Sequence, residues 1–414
     1  MMKTLGILLI ILGLFMGISA QTDVSPPLDD QLDGIEMFIS TSRGLPIVTP
    51  TIRQFPTRDE AVTFITASYE ADLSPEIAMR EELFYRALGF VAPDFDMREF
   101  YSGFLSQQVA GYYDTESKHM NTILMSGGVL GDELPFLEQI IYAHEFTHAL
   151  QDQHFDLSTL SEQTASNADQ SLALTALIEG DATYMMQAFT FNLVQDNMTN
   201  MGILLNDSMS ALGGSGMPPN TPPIFIAEIS FAYFEGMNFV GQVQVRGGWD
   251  AVNGVFENLP ASSEHILHPQ KYFDAEMPLL VRPPDLIYVL STDWQHALTR
   301  TVGEFYLREY LKLQLRSRTA VDAAAGWNGD AMTIYHQPDT DQLIWVWTIA
   351  WDTSDDTTEF VTAYQEFLET KFEMTADDDF CFVSAIEAIC VWVGMNNTII
   401  ISAPDKETVL TVAP

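Results

Sequence analysis

One pentapeptide constrains this chain more than any other segment: His144-Glu145-Phe146-Thr147-His148, which continues the apolar face of a helix. Between Leu134 and His154, the residues Leu137, Ile140, Ile141, His144 and His148 recur at three- and four-residue spacing, as on one face of a 3.6-residue period. At 100° per residue, positions four apart return to within about 40° and rise one turn, so both imidazoles can reach one metal ion. Glu145 lies about 60° from His148, close enough to hold a water without ligating the metal itself. With 8 His among 414 residues, chance produces such a pentapeptide in about one chain of this composition in a hundred. Polar groups on an apolar face need partners inside the fold. The rest of the chain must therefore bring a further ligand to this face.

Zinc chemistry suits the pattern. A catalytic zinc takes three protein ligands and keeps a position for water, lowering the pKa of that water and polarising a carbonyl while a carboxylate such as Glu145 acts as general base. Two residues compete for the third ligand. His154 lies ten positions after His144, the spacing of H-E-x-x-H-x-x-G-x-x-H. That pattern needs Gly where this chain has Gln151, a good helix former. If the helix continues, His154 sits roughly 9 Å beyond His148 and about 120° around the axis. The better candidate is Glu179, in the apolar run ALIEGDATYMMQ of the next long helix, where an acid needs a partner. Asp181 is its rival, and two residues apart on a helix they point about 160° away from each other. One ligand and one structural acid is the expected outcome.

The segments HEFTHALQDQHF and ALIEGDATY together resemble the glutamate-type zincins, the gluzincin peptidases. More closely, the chain is similar to exported metallopeptidase-like proteins of bacteria and archaea. VAGYYD, SSEHILHPQKY, VGEFYLREYL, GWNGD and TIAWDT extend the likeness over roughly residues 43 to 370. It implies one Zn²⁺ held by His144, His148 and Glu179, with Glu145 as base and a peptide or protein as substrate. The substrate would be bound as an added strand along VAGYYD or HMNTILM. The chain departs from the thermolysin-like E-x-x-x-D pattern, since four residues after Glu179 comes Thr183. Asp152, one turn after His148, is a candidate to accept the other ring N–H of a ligand, with Asp181 a second. For an oxyanion donor the first choice is His268, followed by Tyr112, Tyr113 and Tyr184. Two other readings survive: a zincin-fold protein that binds metal or partners and cleaves nothing, and a hydrolase of non-peptide amides.

Charge narrows the partners. A net charge of -39 and a pI near 4.2 oppose binding to nucleic acid or an anionic membrane. The 26 Phe, 14 Tyr and 7 Trp exclude a solvated coil. Residues 1–20, with Lys3, an apolar run and the small-residue end Ile18-Ser19-Ala20, read as a secretory signal. The run is shorter than the ~20 residues of a spanning helix, although an uncleaved N-terminal anchor is the alternative. A secreted or extracytoplasmic location follows, with no other spanning segment. There Cys381 and Cys390 are free to form a disulfide across a hairpin.

The expected class is α+β. A linker or arm over 21–50 precedes a mostly helical zincin-like catalytic domain over 51–318, containing a small antiparallel β element at 108–125. A C-terminal α+β domain follows over 319–414. Helices are expected from Thr57, from Ser74-Pro75, over 134–154 and 167–192, from Ile224 and over 297–315. The last domain reads as strands near 335 and 343–350, a helix over 357–371 and strands near 380, 390, 399 and 410.

Overall fold

The computed structural model describes residues 6–9, 28–124, 130–196, 220–284, 286, 288–377 and 379–413. Apart from Gly6–Leu9, the signal-like segment lies outside the described residues. The elements in chain order begin with β1 (Gly6–Leu9), α1 (Leu28–Arg43), β2 (Ile52–Gln54), α2 (Arg58–Asp72), α3 (Pro75–Ala87) and α4 (Met97–Gln108). Next come β3 (Val109–Asp114), β4 (His119–Thr122), α5 (Phe136–Phe155), α6 (Leu157–Thr164), α7 (Ala168–Asp196) and α8 (Pro223–Ser230). A π-helical turn, Phe231–Glu235, joins α8 to α9 (Gly236–Glu257), followed by α10 (Ser263–Leu267) and α11 (Pro269–Phe273). The chain closes with β5 (Gln295–Arg300), α12 (Gly303–Leu311), α13 (Ser317–Ala324), β6 (Trp327–Gln337), β7 (Gln342–Trp351), α14 (Ser354–Phe372), β8 (Cys381–Val383), β9 (Ala388–Val393), β10 (Asn397–Ala403) and α15 (Lys406–Thr411). This is an α+β protein: a mostly helical first part with a small sheet, then a six-stranded antiparallel sheet with helices.

Contacts divide the chain into two units, one of residues 1–74, 96–165 and 174–259, the other of 75–95, 166–173 and 260–414. In the first, the small sheet runs β1-β3-β4-β2 and is mixed, because β2 lies parallel to β4. The expected VAGYYD hairpin is present, with Tyr113 opposite Met120 and Asp114 opposite His119. Where an arm was expected over 21–50, the chain forms α1, whose Leu32, Ile35 and Ile39 pack with Tyr142, Phe146 and Leu150 of α5. The Pro and Asp residues flanking α1 obscured that three- and four-residue spacing.

The second unit is built on the sheet β5-β6-β7-β10-β9-β8. Its edge hairpin pairs Cys381 directly with Cys390, and the two sulfurs are bonded as a disulfide. Two expectations fail here. Residues 297–315 are strand and then helix, broken at Gly303, whose φ of +83° ends extended backbone. The segment near 410 is α15 and not a strand, because the Asp405 side chain accepts from the Thr408 N–H and caps a helix.

The interior of this unit holds several acids. Asp330 of β6 accepts from the backbone N–H groups of Val302 and Gly303 and from the indole N–H groups of Trp327 and Trp347. Asp169 accepts from the Ser263 N–H through Oδ2, while its buried Oδ1 has no partner among the described residues. Burial raises Asp169 to about 7 and Asp330 to about 6. An unfolded Asp titrates near 3.9, so the folded chain holds these protons more tightly. Their stabilising contribution is complete below about pH 4 and is lost as pH rises through 7, a loss of at most about 4 kcal/mol for Asp169. Thermal melts should show Tm falling from pH 5 to pH 8 less steeply for Asp169→Asn than for the wild type. Parallel slopes would refute this account.

Candidate metal centre

The helix that carries His144 and His148 is fixed from both ends. It starts after Pro135 and stops at Asp156, where φ turns to +52° and the side chain caps the next helix by accepting from the Thr159 N–H. Between these points α5 is buried almost throughout, from Ile140 to Asp152. The side chains of His144, Glu145 and His148 are inside the protein.

Glu179 arrives from α7, and a close helix crossing decides how. A Cβ on Gly180 would lie 2.2 Å from the backbone carbon of Gly236, and one on Gly236 would lie 2.0 Å from the Ala176 carbonyl oxygen. Only hydrogen atoms allow the backbones of α7 and α9 to touch here. With the helices so placed, Glu179 Oε2 lies 3.2 Å from His144 Nε2 and 3.6 Å from His148 Nε2, and the two imidazole nitrogens are 3.0 Å apart. Ligands in a tetrahedral zinc site at 2.0–2.1 Å bonds are separated by roughly 3.3 Å. The three atoms have that spacing, and the group could hold a metal ion. Their electrostatics agree with a shared cation. Burial lowers His144 to about 4. It would lower His148 too, but the Glu179 carboxylate raises that group to about 9, and the histidines hold Glu179 down at about 2 against its own burial.

Glu145 faces the same region and ligates nothing. Both its carboxylate oxygens are buried with no side-chain hydrogen-bond partner among the described residues, the Tyr113 backbone N–H of β3 being the one donor turned toward them, and burial pushes its pKa well above the usual carboxylate range. Strand β3 runs directly past it. A Cβ on Gly111 would stand 3.1 Å from Glu145 Oε1 and 2.7 Å from Ile141 Cγ2, so glycine lets the strand approach α5. Tyr233 stacks on His144 with ring centroids 5.9 Å apart and planes 15° from parallel. It stands on the π-helical turn, whose extra residue reorients the face of the helix. The sequence reading missed Tyr233 because the segment from Ile224 reads as one continuous helix.

Other expected site residues have different partners. His154 lies at the periphery, where its Nε2–H donates to the Pro46 carbonyl oxygen at 2.8 Å. Asp152 accepts from Tyr113 Oη, Lys118 Nζ and the Leu157 N–H, and Gln151 takes the place beside His148 that was expected of Asp152. Asp181 points away from the triad to Arg43, which is fully buried, donates also to Asn253 and lies over the Trp249 ring. His268, in the second unit, pairs with Glu304 at 2.8 Å. Tyr112 stacks on Phe64 at a cavity of about 590 Å³ that no triad residue lines, and Tyr184 packs edge-on to Trp249.

Among known families, residues 288–413 match a domain of unknown function, DUF8575. No curated protein matches the chain. A solved structure from Chloroflexus aurantiacus, described as a candidate hydrolase with a novel fold, is 22% identical and has a TM-score of 0.36, covering 60% of this chain and 88% of its own.

Proposed function

We propose that this chain is a zinc-dependent hydrolase, more specifically a peptidase of the gluzincin kind that its sequence resembles. The observation that carries the reading is the convergence of His144, His148 and Glu179 at zinc-ligand spacing beside a buried Glu145 that has no side-chain partner among the described residues. When bound, zinc supplies Lewis-acid polarisation of a carbonyl and makes water acidic near neutral pH. The remaining work falls to the chain's own groups. Glu145, which has no side-chain donor among the described residues, takes the proton from the attacking water and returns it to the leaving amine.

Strand β3 is suited to hold an extended peptide. It accepts β1 as an added antiparallel strand, with Leu8 opposite Gly111 and Ile7 opposite Tyr112. A substrate in that register would lie along the stretch of β3 that abuts Glu145. Tyr233, whose ring stacks on His144, is the proposed donor to a developing oxyanion. Export is part of the same reading, supported by the signal-like N-terminus and the disulfide. No described helix is long and apolar enough to cross a membrane.

The test joins metal content to turnover. Purified protein is expected to contain one zinc per chain and to cleave members of a mixed peptide library, with chelation abolishing cleavage and zinc restoring it. Stoichiometric zinc without cleavage of any peptide would favour a binding protein or a hydrolase of other amides. A chain that takes up no zinc would sink the proposal.

A further inference from the structure

His148 has a second ring nitrogen, and the groups behind it form an unbroken chain into the core. Nδ1 lies 2.9 Å from Gln151 Oε1. The amide nitrogen of Gln151 donates twice, to the Ile178 carbonyl oxygen and to Asp181 Oδ2, both at 3.0 Å. Both of those oxygens act as acceptors, because Ile178 offers a backbone carbonyl and Asp181 accepts on both oxygens from Arg43 Nε, at 2.8 and 3.0 Å. Both hydrogens of the Gln151 amide are therefore committed, and its orientation is settled by its partners and not by choice. Its oxygen can only face His148 as an acceptor, so Nδ1 must carry the hydrogen. In the neutral ring that a metal requires, that leaves the Nε2 lone pair directed at His144 and Glu179.

We propose that Gln151 is a positioning residue that fixes the tautomer and ring angle of His148 for metal binding, itself oriented by the buried Asp181–Arg43 pair. The inference rests on the metal-site reading above and adds what sets the site's geometry. A carboxylate or backbone carbonyl commonly receives the spare N–H of a ligating histidine. Here the receiver is neutral and the charge stands one link further back, where Arg43 compensates it. All four side chains of the chain, from His148 to Arg43, are fully buried, so losing one link leaves a buried polar group without its partner. Gln151 also carries α5 through the position where the three-histidine zinc pattern requires a glycine break. One residue thus keeps His154 off the metal and holds His148 on it.

The experiment compares the full-length wild type with Gln151→Met, which keeps length and removes both polar functions. Zinc affinity is read by competition with a chelator, and the His148 ring is read by long-range ¹H–¹⁵N NMR with and without zinc. The wild type is expected to show a slowly exchanging Nδ1–H with zinc at Nε2, and the variant to lose that signal and bind zinc roughly 10- to 100-fold more weakly. A folded variant that keeps both the signal and the affinity would overturn the proposal. If the variant fails to fold, the wild-type spectrum decides: a protected Nδ1–H supports the proposal, and Nδ1 without a hydrogen overturns it. Should the wild type bind no zinc, the functional reading falls, and a metal-free spectrum recorded at a pH where the His148 ring is neutral still judges the role of Gln151: a hydrogen on Nδ1 supports it and a hydrogen on Nε2 alone overturns it.

Discussion

Replacing Glu145 with Gln is expected to lower peptide hydrolysis by about 10²- to 10⁴-fold, the range that general-base catalysis contributes, while zinc content stays at one per chain. The reasoning is local. Glu145 is not one of the three clustered ligands, and its oxygens hold no side-chain partner among the described residues, so the amide removes a base without releasing the metal. The carboxamide has nearly the same shape, and the close approach of Gly111 to Oε1 leaves the packing of β3 on α5 intact. Steady-state kinetics with metal analysis on the same preparation separates the outcomes. Activity within a few-fold of the wild type would exclude Glu145 as the base. Loss of zinc along with activity would give it a structural role instead.

The second large effect concerns a residue that touches no metal. Gly236→Ala should destabilise the first unit by roughly 3 kcal/mol or more, because its Cβ would fall 2.0 Å from the Ala176 carbonyl oxygen and two packed helices would have to part. Glu179 stands one turn from Ala176 on α7, so parting the helices moves the third ligand away from His144 and His148. Zinc affinity should fall together with stability. Gly254→Ala is the control, on the helical segment that follows the backbone break at Gly247 and Gly248, since its Cβ meets nothing within 4 Å. That change should raise stability by up to about 1 kcal/mol, the helix-propensity gain of Ala over Gly. Denaturant unfolding of both variants, with equal losses in each, would refute the crossing as the cause.

Much of this site could be read in the chain because its information is local. The helical spacing of Leu137, Ile140 and Ile141 predicts the buried face on which His144 and His148 lie. The alternation around VAGYYD predicts the hairpin that passes over it. The acid at Glu179 stands out because an apolar run cannot leave a carboxylate alone. The missed features have non-local causes. Helix α1 has an apolar face that its flanking Pro and Asp residues obscure, and only its burial against α5 distinguishes it from an arm. Tyr233 depends on one extra residue in a turn of π-helix, which leaves no mark in composition. Near residue 410, a run of apolar and β-branched residues suggests a strand, and the Asp405 cap settles it as a helix.

The sequence by itself determined the two histidines, the glutamate between their positions and the need for one more ligand, because a helix turns by a fixed angle per residue. Tertiary structure decided which groups surround them. Glu179 reaches the pair only because Gly180 and Gly236 let two helices touch, and Asp181 turns to Arg43, 138 residues away in the chain. Gln151 looks like an ordinary helix former until Asp181 and Ile178 take both its hydrogens. Periodicity specifies the direction in which a side chain leaves its own helix. The partner waiting there is set by backbone crossings between distant segments, and those are fixed only when the whole core packs.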